Sequence, residues 1–191
     1  MPIDDTWDIS GWDLDKTMKL LYKSNPTVYE WLASPICYRR TDFAERIRPL
    51  MNHYFSAKRM LYHYLNTAKH NVTDSLKGET VQPKKYFYAL RPILACYWVL
   101  DCRTAPPVLF SDLAGAKMPA ELRPSLDRLL DLKMNGPEKM EIRPIPDIDA
   151  FLDRSIRKFD EYLARLPKDE PKSWERMNHF FIEETSRPAK R

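Results

Sequence analysis

Asp8 lies between Trp7 and Ile9, in a stretch that reads as a short buried strand running at once into a helix. Two duties suit a carboxylate there. It can cap the helix that starts near Trp12 by accepting from first-turn N–H groups, and the local sequence favours this. Alternatively it ligates a metal ion, with partner acids upstream of this chain. Arg91 poses a similar choice, standing in an apolar helix directly before Pro92. A guanidinium among apolar neighbours needs partners. Pro92 has no N–H, so the carbonyl of Tyr88 loses its helical bond. Arg91 either pairs with a structural acid or with that carbonyl, or it binds an anion through its planar fork. The sequence leaves these even. Lys84 and Lys85 open the same helix, where positive charge opposes the helix dipole. They are either solvated lysines or phosphate contacts, with Tyr88 one turn on to stack on a base. Lys58, Arg59 and Lys69 could extend a basic wall, although a plain surface role suits each better.

Other chemistry-bearing residues promise less. His63 and His70 are seven apart and share a helical face, but no acid or cysteine adjoins them. Packing, with His63 half-buried, is the simpler role. Asp147-Ile148-Asp149 resembles a metal-binding pair but sits where helix capping is expected, just before Ala150-Phe151-Leu152. No Ser/His/Asp or Cys/His arrangement can be assembled.

The elements that must position these groups are nearly all helical. Leu14, Met18, Leu21 and Tyr22 form one apolar stripe over residues 13–23. Asn25-Pro26 ends that helix and starts the next, about 26–33. Thr41, with Glu45, is the expected N-cap of a helix over 42–54 that Pro49 should kink or split. Ser56 caps a helix over 57–76. Residues 84–101 carry almost no polar face, so that helix should be buried nearly all round. Further helices are expected at 120–134, 147–165 and 172–184. Ser186 to Arg191 reads as a disordered basic tail.

With 43% hydrophobic residues in 191, the chain can bury a real core. Four glycines leave little scope for glycine-rich phosphate loops, and sixteen prolines punctuate short helices instead. No run of about 18 apolar residues exists, which argues against a membrane span. Cys37, Cys96 and Cys102 show no zinc spacing. Buried structural thiols in a reducing cytoplasm are expected. The net charge of +4 is segregated: residues 1–37 carry 3 basic and 6 acidic side chains, residues 38–91 carry 11 and 4. Acid in front and base behind suits a metal site facing a phosphate-binding wall, or only a solvated helical surface.

Several blocks carry a resemblance: Asp8 to Leu14, Lys23-Ser24-Asn25-Pro26, Glu30 to Ile36, Tyr62-His63-Tyr64-Leu65, Lys84 to Ala95 and Leu122-Arg123-Pro124. Together they are similar to a family of nucleotidyltransferases in the polymerase-β-like superfamily, some associated with RNA repair. The likeness spans about residues 3 to 160, and Lys84 to Ala95 is its most specific part. It implies a mainly α chain: a short N-terminal remnant strand of an α/β nucleotidyltransferase core, then a multi-helix domain. The implied divisions are 1–15 for the end of the core, 16–166 for the helical domain and 167–191 for a C-terminal helix and tail. It further implies Mg²⁺, with Asp8 as the third metal-binding acid, and an NTP whose nucleotidyl group passes to a nucleic-acid hydroxyl, RNA being favoured. Lys84, Lys85, Tyr88 and Arg91 would hold the nucleotide or acceptor. The family's Gly-Ser turn and Asp-x-Asp pair are not found: no Gly-Ser dipeptide occurs, and Ser10-Gly11-Trp12-Asp13 lacks the spacer. The resemblance thus implies an N-terminally truncated, incomplete core. The alternative is a non-catalytic helical module that binds RNA or a partner. The oligomeric state is not legible.

Overall fold

The structure is a computed structural model and describes residues 10–39, 41–137 and 139–188. Asp8 and the expected opening strand lie outside the described residues. What is described is mainly α, and the β pairing recorded there is an isolated antiparallel bridge between Val81 and Ile142, closed by two N–H to O bonds of 2.9 Å.

Helix α1 (Leu14–Tyr22) starts at Asp13, whose carboxylate accepts from Lys16 N at 2.7 Å. It buries Met18 and Leu21, as the stripe requires. Ser24 then turns the chain in the left-handed region, at φ 57°. That residue is buried for a reason: its hydroxyl donates to Tyr54 O at 3.1 Å and accepts from Ser56 N at 2.7 Å. Asn25 caps α2 (Pro26–Leu32) through Thr27 N. Helix α3 (Phe43–Tyr54) has Asp42 rather than the expected Thr41 as its N-cap, and it runs on through Pro49 without being split.

Helices α4 (Ala57–Ser75) and α5 (Pro83–Cys102) form the most extensive packing pair. Ser56 caps α4 through Arg59 N at 3.1 Å, as anticipated. Leu90, Ile93 and Leu94 of α5 are fully buried, each contributing about 1.5–3 kcal/mol of apolar burial. The helix is not buried all round as expected: Tyr88 is 55% exposed, and Asp101 and Cys102 are exposed at its end. Pro92 does not end α5, and Asn71 Nδ2 donates to the orphaned carbonyl of Tyr88 at 2.9 Å.

Helix α6 (Phe110–Lys117) has no counterpart in the sequence reading. A 3₁₀ turn (Ala120–Leu122) leads into α7 (Arg123–Asn135). Helix α8 (Pro146–Arg165) lays Ile148, Phe151, Leu152, Phe159 and Leu163 onto the α4–α5 pair. Its N-cap is Ile145, so Asp147 and Asp149 are first-turn acids rather than caps. After an extended connector, α9 (Glu175–Thr185) returns to pack on α1.

Candidate functional site

Helical periodicity places Lys84, Tyr88 and Arg91 at i, i+4 and i+7, on one stripe of α5. Opposite them, His63, Thr67 and Asn71 follow one another at i, i+4 and i+8 on α4. The start of α2 adds Pro26, Thr27 and Glu30. Between these three helices lies a polar groove of about 290 Å³, lined by Glu30, His63, Tyr64, Tyr88 and Arg91 among others.

Glu30 is the electrostatic centre of the groove. Its Oε1 accepts from Tyr64 Oη at 2.6 Å and from Arg91 Nη1 at 3.1 Å. Arg91 Nη2 also donates to Val108 O at 3.4 Å. The Arg91 and Glu30 side chains are 27% and 23% exposed, so the pair is partly desolvated yet open to a ligand. Burial and then the Glu30 carboxylate push the Tyr64 phenol well above its ordinary range. Burial pushes His63 below its ordinary value, only partly offset by Glu30. Its ring stands edge-on to Tyr64.

Of the four expected nucleotide contacts, the structure brings Tyr88 and Arg91 together. Lys84 and Lys85 are half-buried at the start of α5 and line neither this groove nor its neighbour. The structural-acid partner considered for Arg91 exists, and it is Glu30. Sequence reasoning missed both Glu30 and Tyr64 as site members. A period-seven link joins Tyr64 to Asn71, but Glu30 comes from a separate short helix, and nothing local signals its partner.

A second cleft adjoins the first across the Tyr88–Arg91 ridge. It lies between α5, α6 and α7, holds about 530 Å³, and is lined by Phe87, Phe110, Ala114, Leu126 and Leu130 with Arg91, Arg123 and Lys133.

The other basic residues are engaged by backbone carbonyls or by structural acids. Lys58 Nζ donates to Leu166 O and Pro167 O, at 2.9 and 2.6 Å. Arg59 donates to Tyr22 O at 2.8 Å and pairs with Asp169 at 3.3 Å. Lys69 pairs with Asp160 at 2.5 Å. Among the described residues no group of three acids, histidines or cysteines converges on a metal position. Asp8, the expected Mg²⁺ ligand, lies outside the described residues. Cys96 alone is a buried thiol; Cys37 and Cys102 are exposed, contrary to expectation. No helix among the described residues is long and apolar enough to cross a membrane.

The described residues thus form a helical body with an open groove walled by an arginine–carboxylate pair and an exposed tyrosine. The chain belongs to the RNA repair pathway DNA polymerase beta family, whose model matches residues 1–183. It is 39% identical over 184 residues to the Bacillus subtilis (strain 168) protein YcgL, the match covering 95% of this chain and 70% of that protein. No solved structure gives a significant match.

Proposed function

We propose that this protein transfers a nucleotidyl group from an NTP to a nucleic-acid hydroxyl, with RNA as the acceptor. The observation that carries this reading is the family match over residues 1–183, joined to an open groove where Tyr88 and Arg91 converge. In the reaction the hydroxyl oxygen bonds to the α-phosphorus, the bond to the β-phosphate breaks, and pyrophosphate leaves as the hydroxyl releases its proton. Arg91 holds a phosphate through the donors that Glu30 leaves available, and Glu30 fixes its orientation. Tyr88 lies against the base or the acceptor. Lys84 and Lys85 supply positive charge on the approach to the groove. Asp8 is the proposed Mg²⁺ ligand. Mg²⁺, when bound, activates the hydroxyl and neutralises the leaving group. Free thiols at Cys37, Cys96 and Cys102 support a reducing, cytoplasmic setting.

The test is incorporation of labelled nucleotide into RNA by the protein purified from its own source, with and without Mg²⁺. Asp8→Asn should abolish incorporation while leaving the melting temperature unchanged. Full turnover in that variant would remove Asp8 from the mechanism. Salt-sensitive RNA retention with no metal-dependent incorporation would instead favour the non-catalytic binding module.

A further inference from the structure

The cleft between α5, α6 and α7 has a chemistry different from the groove beside it. Its floor is apolar: Phe87 and Phe110 meet edge to face at 5.2 Å between centroids, and Leu126 and Leu130 close the α7 side. Its rim is cationic, with Arg91, Arg123 and Lys133 against the single acid Asp127. These cations retain donors. Lys133 pairs with no acid among the described residues, and its recorded contact is the Phe87 ring, 4.9 Å from the ammonium. Arg123 uses one terminal nitrogen for Ala114 O and Gly115 O, at 2.6 and 3.0 Å. Its other N–H groups have no partner among the described residues. A flat apolar body bearing an anionic group complements this arrangement, and about 530 Å³ is ample for one nucleotide.

We propose that this cleft binds a single nucleotide without metal, its base on the Phe87–Phe110 floor and its phosphate on Lys133 and Arg123. The choice of a nucleotide over other aromatic anions rests on the function proposed above. Tyr88 and Arg91 line both cavities. They then form the ridge between a phosphate-binding groove and a base-binding cleft, so two nucleotides can lie side by side, as donor and acceptor must.

The experiment is calorimetric titration of the full protein with AMP in the absence of divalent metal. Two variants at exposed positions probe the cleft: Ser111→Trp fills it from α6, and Lys133→Glu reverses its rim charge. Both should keep the wild-type melting temperature and weaken AMP at least tenfold. Absence of AMP binding to wild type, or equal affinity in both variants, overturns the proposal. The incorporation assay separates this from the function itself. AMP binding lost in Ser111→Trp, with no incorporation by wild type, leaves the cleft and removes the transferase. Incorporation unchanged in Ser111→Trp, with AMP affinity also unchanged, does the reverse.

Discussion

Two basic regions of this molecule use positive charge in opposite ways. Around the connector between α8 and α9, cations are consumed by the backbone. Lys58 and Arg59 donate to carbonyls, Lys172 donates to His53 O and Phe55 O, and Asp169 pairs with Arg59 and accepts from Ser56. Tyr22 and Tyr54 donate to Lys172 O and Ser173 O at 2.8 and 2.7 Å. That region holds a chain segment in place, although a cavity of about 420 Å³ lies within it. Along α5 the reverse holds. Arg91 meets one carboxylate and a long carbonyl contact, while Lys84 and Lys85 pair with no acid among the described residues. Charge counting by segment merges these two regions. Only the partners distinguish a strap from a binding wall.

The sharpest way to break the comparison is to exchange the head groups. Arg91→Lys keeps the charge but loses the planar fork. Incorporation should fall on the order of a hundredfold in kcat/KM, with stability little changed. Unchanged kcat/KM alongside a lowered melting temperature would move Arg91 into the structural class. Next in size, Arg59→Met should cost about 1.5–3 kcal/mol in urea unfolding, because it strips donors from Tyr22 O and Asp169. Incorporation by that variant should match wild type, and a selective loss of activity would mean that the connector cavity is functional.

The sequence carried the helices and hid the partners. Asn25-Pro26 marked the start of α2 because proline restricts the residue before it, and Ser56 announced its helix because a cap is a local event, satisfied within three residues. The long apolar run of α5 identified the central helix for the same reason. Helix α6 escaped because its burial rests on Leu113 and Ala114 alone, with Gly115 in its interior. Thr41 and the Asp147–Asp149 pair were misread because a polar residue near a helix start fits cap and first turn alike. At the candidate site, Tyr88 and Arg91 were legible from spacing and from Pro92. Glu30 was not, since its meeting with Tyr64 and Arg91 depends on how α2 docks across α4 and α5. Asn71 shows the same limit: Pro92 foretold an orphaned carbonyl at Tyr88, but not which side chain would satisfy it.

Smaller in energy, Tyr64→Phe tests whether Glu30 is positioned or merely paired. The phenol donates to the same oxygen that receives Arg91, so its loss should cost about 1 kcal/mol. With that donor gone, Glu30 leans on Arg91 alone and draws its guanidinium away from a ligand. KM for the NTP should rise severalfold while kcat holds. An unchanged KM would show that Arg91 keeps its place without the phenol.

The smallest effect is a pH dependence confined to the structural side. The carboxylate of Glu184 takes a two-point grip from Arg46, at 2.7 and 2.5 Å, which ties α9 to α3. That bonding holds Glu184 below its ordinary value of 4.5, aided by the charges of Arg46 and Arg187 against burial and Asp42. A carboxylate depressed in the folded state contributes stability that is present in full above its unfolded pKa. The contribution is lost as pH falls through the folded value. Wild type should therefore loosen as pH drops below about 4.5, and Glu184→Gln should flatten that part of the stability–pH curve while lowering its neutral plateau. The cleft should not follow this curve, because Glu184 and its partners Arg46, Asp42 and Arg187 do not line it. If AMP affinity and α9 stability decline together between pH 5 and pH 4, the two regions are coupled, and the division between strap and binding wall fails.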